Sequence, residues 1–183
     1  MRLFLLSGPI AVGKTSVAQK LVEDEKFLKI SSGRYLARKA QEARLDGSRR
    51  TLQQIGDQLD LDTDCRWLID DVAAPVIAKS REVERWLLDS VRKARQVEHF
   101  KSSFGLSAIH IYLDAPDDFL RDRYNYRIGQ GREYSGYTPY DDAIKHPNEL
   151  ASRALKAIAN NVFNVVDKSP TELAKEIARH IGG

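Results

Sequence analysis

Eight residues near the amino terminus have the types and spacing of a loop that binds phosphate. Gly8-Pro9-Ile10-Ala11-Val12-Gly13-Lys14-Thr15 fits the pattern G-x-x-x-x-G-K-[S/T]. Glycine at the fixed positions lets the backbone approach phosphate oxygens closely, with successive N–H groups directed at them. The pattern predicts Lys14 on the β- and γ-phosphates of a nucleoside triphosphate and the Thr15 hydroxyl on Mg²⁺. Ser16 is a further phosphate contact or, alternatively, a surface serine of a helix.

The elements on either side of this loop are the ones that such a site requires. Arg2 to Ser7 form a short apolar run, which predicts a strand, and Lys14 to Glu25 carry apolar residues at helical spacing. The start of that helix adds the positive end of its dipole to the loop. We therefore expect a strand, a glycine-rich loop and a helix in succession.

The remainder of the chain alternates in the same way. Strands are expected at 27–30, 86–89, 108–113 and 161–166, and helices at 34–44 with Ser32 as N-cap, 52–59, 65–79 across Pro75, 92–101 and 170–181. Parallel strands need crossover helices and are buried on both faces. The order predicts a three-layer α/β/α fold with a mainly parallel five-stranded sheet, in one domain over 1–183.

Composition excludes several classes of protein. The single cysteine, Cys65, rules out an internal disulfide framework and a cysteine-based zinc cluster. No apolar run approaches the ~20 residues that span a bilayer. A net charge of +3 in 183 residues gives little reason to expect a nucleic acid partner. We expect a cytoplasmic protein, and its oligomeric state stays open.

Three further segments of the sequence have residue types and spacing that can be compared with known motifs. They are Ser31-Ser32-Gly33; Leu87-Leu88-Asp89-Ser90-Val91-Arg92 with Gln96; and Ala115-Pro116-Asp117-Asp118 with Arg121, Arg123 and Arg127. Together with the loop, they resemble the adenylate kinase-like family of nucleoside monophosphate kinases, which also includes deoxynucleotide kinases and dephospho-CoA kinase. The resemblance runs from Leu3 to about His180 and implies ATP and Mg²⁺ as cofactors. The absence of an N/T-K-x-D sequence counts against a GTPase.

The first of these segments is similar to the S-T-G-D opening of the family's monophosphate-binding helix. Arg34 stands where the family has aspartate, and Arg38 is one position later than the family's phosphate-binding arginine. The resemblance implies that Ser32 and Gly33 contact the acceptor and that Arg34 or Arg38 binds its phosphate. It places the acceptor-binding insert at about 31–85.

The second segment is similar to the family's apolar-apolar-D-G-F-P-R, with one residue fewer between Asp89 and Arg92. The resemblance implies that Asp89 supports the Mg²⁺ water shell, that Arg92 binds the acceptor phosphate and that Gln96 reads the acceptor base. A carboxylate at the end of a buried strand beside the loop suits that role independently. The alternative for Asp89 is a helix N-cap.

The third segment leads into a glycine-rich stretch at 129–139 that contains Arg132. Arg123 and Arg127 are four residues apart and share one helix face. The resemblance implies a lid at about 121–150 whose arginines close over the transferring phosphoryl group, a task that suits the planar guanidinium. Arg153 is either another lid residue or a surface cation.

These residues predict an enzyme that transfers a phosphoryl group from Mg·ATP to a nucleoside or deoxynucleoside 5′-monophosphate. The partner is then a small-molecule nucleotide. A kinase of the dephospho-CoA type and a non-catalytic regulator that binds ATP are the alternatives, and a nucleic-acid end kinase is less favoured by the charge.

Overall fold

Strands and helices alternate along the computed structural model, which describes residues 1–89, 91–130 and 138–182. The strands are β1 (Arg2–Ser7), β2 (Leu28–Ile30), β3 (Arg85–Leu88), β4 (Ala108–Asp114) and β5 (Asn161–Asn164). The α-helices are α1 (Lys14–Glu23), α2 (Ser32–Glu42), α3 (Arg49–Asp62), α4 (Ala74–Lys79), α5 (Ala94–Phe104), α6 (Asp117–Gly129), α7 (Tyr140–Ala143), α8 (Pro147–Ala154) and α9 (Pro170–Gly182). A π-helical segment, Leu68–Ala73, precedes α4, and 3₁₀ turns at Gly105–Ser107 and Leu155–Ile158 follow α5 and α8. Arg132 and most of the glycine-rich stretch lie outside the described residues.

The strands of the described part of the chain form one five-stranded sheet in the order β2-β3-β1-β4-β5. Every pair of neighbours is parallel, and Leu5 of β1 lies opposite both Leu88 of β3 and His110 of β4. Helices cover both faces of the sheet, so the predicted three-layer α/β/α fold is confirmed. No helix in the described ranges is long and apolar enough to cross a membrane.

Alternating side chains of β1 divide the apolar core into two halves. Leu3 and Leu5 pack with Trp86 and with residues of α5 and the π-helical segment. Phe4 and Leu6 face the other way and pack with residues of α1, α6 and α9. All four are almost fully buried, and each such side chain contributes about 1.5–3 kcal/mol. The central strand is therefore held from both sides, which fixes the loop that follows it.

Two local predictions are corrected by the structure. The N-cap of α2 is Ser31, with φ −113° and ψ 103°, because Ser32 already has helical geometry. The helix expected at 65–79 is divided: π-helical Leu68–Ala73 gives way to α4, with Pro75 in its first turn. Proline has no N–H for an i→i−4 hydrogen bond, and this explains a change of helical register directly before it.

The carboxyl ends of β1, β3 and β4 meet at one edge of the sheet. Gly8 follows β1 directly, Asp89 follows β3 and Asp114 ends β4. Crevices at the carboxyl ends of parallel strands are where such sheets bind ligands. The fold thus brings the predicted loop and the predicted carboxylate to the same edge.

Candidate active site

The loop after β1 has a backbone that depends on its glycines. Gly8 has φ +146°, and a Cβ at this position would lie 2.6 Å from the carbonyl oxygen of Leu113. Gly13 has φ +100° and directly precedes α1. The first N–H groups of α1 have no intrahelical acceptor and carry the positive end of the helix dipole. The geometry is that of a loop that can surround an anion.

The Lys14 side chain turns back over this loop. Its Nζ donates to the carbonyl oxygens of Gly8 at 2.6 Å and Pro9 at 2.8 Å. Burial lowers the pKa of Lys14 to about 8, because removal from water penalises the charged ammonium. The ammonium group is therefore held at the place where the loop would surround phosphates.

Four charged side chains from three other segments lie close enough to Lys14 to change its pKa. The negative charges of Glu149 and Asp89 raise its pKa, and the positive charges of Arg92 and Arg127 lower it, against the larger effect of burial. Asp89 and Arg92 follow β3, Arg127 belongs to α6 and Glu149 to α8. The structure thus gathers three residues that the sequence singled out, together with Glu149, which it did not.

Arg123 reaches the loop from α6. A Cβ on Gly13 would lie 3.2 Å from a guanidinium nitrogen of Arg123, so the guanidinium covers the glycine. The same guanidinium lies 5.4 Å from the centre of the Phe119 ring. Burial, followed by the charge of Arg127, lowers the pKa of Arg123. Arg123 and Arg127 therefore approach the loop from one helix face.

The residues predicted for the metal supply only part of a coordination sphere. Asp89 accepts a hydrogen bond from Lys29 Nζ at 2.5 Å, and Thr15 is exposed at the start of α1. Lys93, rather than Asp89, occupies the N-cap position of α5. Among the described residues, no three His, Cys, Asp or Glu side chains could hold a metal. This donor set fits Mg²⁺, which keeps several waters and takes its other ligands from substrate phosphates.

A cavity of about 360 Å³, which we call the α3 cavity, is lined by Arg92 and by residues around α3. It lies between α2, α3, α5 and α8. Its lining residues are Ser32, Gly33, Leu36, Gly47, Leu52, Gln53, Gly56, Asp57, Asp60, Trp67, Leu68, Arg92, Lys93, Gln96 and Asn148. Four residues predicted for the acceptor site, Ser32, Gly33, Arg92 and Gln96, therefore meet at one cavity.

The Gln96 side chain forms three hydrogen bonds with the protein at the edge of this cavity. Its Oε1 accepts from the backbone N–H groups of Arg92 at 2.9 Å and Lys93 at 3.2 Å, which caps the start of α5. Its Nε2 donates to Asp60 at 3.2 Å. The carboxamide oxygen thus already accepts two backbone hydrogen bonds. Recognition of an acceptor base by Gln96 stays a prediction, and it would have to use the amide N–H groups.

The wall of the cavity contains a buried carboxylate, Asp60, that no sequence pattern indicated. Asp60 accepts from the indole N–H of Trp67 at 2.7 Å and pairs with Lys93 Nζ at 2.7 Å. Asp57, one turn earlier, lies 3.4 Å from the same ammonium group and 3.5 Å from the Asn148 amide. The helix predicted at 52–59 ends one residue before Asp60, whereas α3 runs to Asp62 and so places both aspartates, three residues apart, on one face.

Arg34 and Arg38 do not line the α3 cavity. Arg38 pairs with Glu42 at 3.6 Å and lies 5.3 Å from the centre of the Tyr35 ring, on a well exposed face of α2. Arg34 is also exposed. Their predicted contact with an acceptor phosphate remains untested.

Helix α8 contacts the loop directly, and no motif indicated this. Glu149 Oε1 accepts the backbone N–H of Ile10 at 2.9 Å, and Ser152 Oγ donates to the carbonyl oxygen of Gly8 at 3.0 Å. Arg153 holds Glu149 at 3.0 Å and Asp117 at 2.7 Å. Arg153 is thus an anchor between α8 and α6, rather than a lid cation directed at phosphate.

Comparisons with solved structures identify the same fold in several kinases. A gluconokinase from Sinorhizobium meliloti 1021 is similar with a TM-score of 0.58 and 15% identity, over 99% of this chain and 91% of that one. A shikimate kinase from Aquifex aeolicus vf5 has a TM-score of 0.51 and 15% identity, over 100% and 97%. A shikimate kinase from Acinetobacter baumannii, in complex with shikimate, has a TM-score of 0.50 and 16% identity, over 99% and 93%. At these identities the likeness establishes the fold.

The search of curated proteins finds no match. A family model described as an AAA domain matches residues 7–138, from the last residue of β1, through the loop, into the glycine-rich stretch. That match includes the loop, Asp89, Arg92 and both Arg123 and Arg127 of α6, and it covers well over half of the sequence. The chain therefore belongs to the AAA domain family.

Proposed function

We propose that the chain is an ATP-dependent kinase with a small-molecule acceptor, and that this acceptor is a nucleoside or deoxynucleoside 5′-monophosphate. The position of Arg92 carries the proposal. Its positive charge lowers the pKa of Lys14 at the loop, and the residue also lines the α3 cavity. One guanidinium thus connects the expected place of the donor phosphates with a space for an acceptor.

The charges around the loop suit phosphoryl transfer. An oxygen of the acceptor phosphate attacks the γ-phosphorus while the bond to the β,γ-bridging oxygen breaks, and ADP leaves with those electrons. Because that oxygen is already anionic, the step needs positioning and charge neutralisation rather than a general base. Lys14, Arg92 and the α6 pair Arg123 and Arg127 supply positive charge from three sides. Bound Mg²⁺, held by the Thr15 hydroxyl with Asp89 beside its waters, would add to this charge.

The α3 cavity is compatible with a nucleotide acceptor. Its volume of about 360 Å³ lies within the range of about 300–1,000 Å³ that is usual for small-molecule sites. Leu36, Leu52 and Trp67 offer apolar surface for a flat ring, and Gln53 and Asp57 offer hydrogen-bonding groups. An acceptor phosphate near Arg92 would leave its base among these groups.

The proposal divides one domain, 1–183, into working parts. An acceptor-binding insert at about 31–85 contributes α2, α3 and the wall around Trp67. A lid at about 121–150 carries Arg127 and most of α6. Closure of the α6 side of this lid over the loop would exclude water from the transferring group, while Glu149 at its other end is already bound to Ile10. Arg34 and Arg38 belong to this proposal only if α2 turns toward the cavity when an acceptor binds.

A second candidate acceptor carries a hydroxyl group instead of a phosphate. Asp57 lines the α3 cavity, and a carboxylate can take the proton of an attacking hydroxyl. The structural relatives named gluconokinase and shikimate kinase favour the inclusion of such acceptors. Dephospho-CoA belongs to the same test.

An acceptor panel separates these possibilities. Purified protein with Mg·ATP is offered ribo- and deoxynucleoside monophosphates, dephospho-CoA, gluconate and shikimate, and the phosphorylated product is measured. Transfer to a monophosphate supports the proposal, and transfer to a hydroxyl compound supports the second candidate. Binding of ATP with no transfer to any acceptor would indicate the non-catalytic regulator.

Two lysines of α1 give matched variants for this panel. Lys14→Met should abolish transfer, because it removes the ammonium group from the loop. Lys20→Met removes an equal charge from the exposed end of the same helix, where Lys20 pairs with Glu23 at 2.7 Å. Equal activity of the two variants would contradict the assigned site.

A further inference from the structure

We propose that Glu149 and Ser152 of α8 are positioning residues that hold the phosphate loop in its binding conformation. The inference rests on the proposed nucleotide site and adds two residues that the loop pattern does not contain. The Glu149 carboxylate accepts a hydrogen bond from the Ile10 N–H at 2.9 Å, and the Ser152 hydroxyl donates one to the Gly8 carbonyl oxygen at 3.0 Å. One face of α8 thus forms hydrogen bonds with two consecutive peptide units of the loop.

The contacts are buried and specific. Ser152 is 5% exposed, and the Glu149 side chain is 12% exposed. The Gly8 carbonyl oxygen that accepts from Ser152 also accepts from Lys14 Nζ at 2.6 Å. Without Ser152 this carbonyl would keep Lys14 as its side-chain donor, and Lys14 is the group expected to turn to phosphate when a nucleotide binds. Movement of this carbonyl would also move the resting position of Lys14.

Glu149 is itself fixed from its other side. Arg153, one turn later on α8, donates to the same carboxylate oxygen at 3.0 Å. Arg153 also binds Asp117 at 2.7 Å and the Tyr140 hydroxyl at 2.9 Å. The carboxylate that holds Ile10 is therefore tied to the start of α6 and to α7, so its place depends on three helices.

Glu149 and Ser152 contact a part of the loop that has few other restraints. Ile10, Gly8 and Pro9 form the first half of the loop, which has neither helix nor strand hydrogen bonds of its own. A charged hydrogen bond to such a segment limits the conformations that it samples before a ligand binds. Nucleotide affinity should therefore depend on α8, although α8 lies about 140 residues further along the chain.

Calorimetric titration of Mg·ATP into four variants tests the inference. Glu149→Ala should weaken binding about tenfold, because a hydrogen bond to a charged group is lost. Glu149→Gln keeps an oxygen for the Ile10 N–H and should recover most of that loss. Ser152→Ala should weaken binding about threefold or more. Glu98→Ala is the control, since Glu98 pairs with Arg95 on an exposed part of α5 at 3.1 Å.

A role in folding alone has a different signature. Such a role would lower the thermal midpoint of Glu149→Ala and Ser152→Ala while their folded fractions bound Mg·ATP as the wild type does, and that result would overturn the inference. Tighter binding by Glu149→Ala would also overturn it, because Glu149 would then compete with phosphate for the loop. If Glu149→Ala does not fold, Ser152→Ala alone decides between these outcomes.

The binding readout separates this inference from the proposed kinase activity. Wild-type protein that binds Mg·ATP but phosphorylates no acceptor would contradict the proposed function and leave the α8 measurements valid. Where transfer is observed, Glu149→Ala should raise the KM for ATP and leave the KM for the acceptor within about twofold. An equal rise in both constants would count against a contact that acts through the loop.

Discussion

The guanidinium of Arg123 covers Gly13, so that a Cβ on this glycine would lie 3.2 Å from one of the guanidinium nitrogens. The contact joins α6 to the start of α1 across the site of the expected phosphates. The φ of +100° at Gly13 is unfavourable for other residues, and a Cβ there would also require the Arg123 guanidinium to shift by a few tenths of an ångström. A cation at this position can neutralise charge that develops on a transferring phosphoryl group.

Arg123→Ala should therefore lower kcat far more than it lowers stability. Loss of one pre-positioned electrostatic group costs on the order of 10²–10³-fold in kcat. Arg121→Ala is the matched control, because Arg121 lies on the same helix and pairs with Asp141 at 2.9 Å, with both side chains well exposed. Steady-state kinetics on both variants check the prediction. A similar kcat for the two would remove Arg123 from the reaction.

Gln96→Ala should destabilise the protein even without a substrate. Removal of the carboxamide leaves the N–H groups of Arg92 and Lys93 without their cap, and Asp60 without one donor. Such a loss costs about 1–3 kcal/mol in the free energy of unfolding. Urea denaturation measures it against Gln58→Ala, which removes only an exposed contact with Asp62. Unchanged stability, with a raised KM for the acceptor, would restore base reading as the main role of Gln96.

The sequence predicted the parts of this molecule that local patterns specify. The loop from Gly8 to Thr15 has fixed residue types, and the strand and helix on either side have clear periodicity, so the fold and the place of the loop in it could be predicted together. The position of Asp89 near the loop could be predicted because the carboxyl ends of parallel strands meet at one edge of the sheet. These inferences needed no knowledge of how distant helices pack.

The contacts of α8 could not be predicted in this way. Glu149 and Ser152 meet the loop only because α8 returns across it, and the number of residues between them and the loop is not fixed by any pattern. The same holds for the Asp60 network, in which the indole N–H of Trp67 donates to the carboxylate. A side chain with several possible partners acquires its role from tertiary packing, as Gln96 shows.

Lys93→Met should cost more than the ~1 kcal/mol of an exposed pair and less than the ~3–5 kcal/mol of a fully buried pair, because it leaves the buried Asp60 carboxylate without a partly exposed cation. The Lys93–Asp60 distance is 2.7 Å, and Asp60 is 8% exposed. Asp60→Asn in the same protein should recover part of the loss, since no uncompensated charge then remains. The exposed pair Lys168 and Glu176, at 2.6 Å, gives the matched cycle and should show less than about 1 kcal/mol. Equal coupling energies in the two cycles would contradict the effect of burial.

His110 should make the fold sensitive to mild acid. It is fully buried in β4, with Nε2 2.6 Å from the hydroxyl of Ser7 at the end of β1. Burial lowers the pKa of His110 from 6.5 to about 4. Between these two values the unfolded chain binds a proton that the folded chain does not bind, so stability falls as the pH falls. Each unit of difference in pKa corresponds to about 1.4 kcal/mol, which gives a total of about 3 kcal/mol.

Replacement of this histidine by a group that does not titrate checks the sign of that effect. His110→Asn should lower stability at pH 7, where a well-packed neutral imidazole is lost, and should show a smaller further loss between pH 6.5 and pH 4 than the wild type. His180→Gln, at an exposed position on α9, is the control. Urea denaturation at several pH values gives the free energy of unfolding for each protein. Because carboxylates contribute equally to all three, the difference between the curves isolates His110, and parallel curves would exclude it as the source of acid sensitivity.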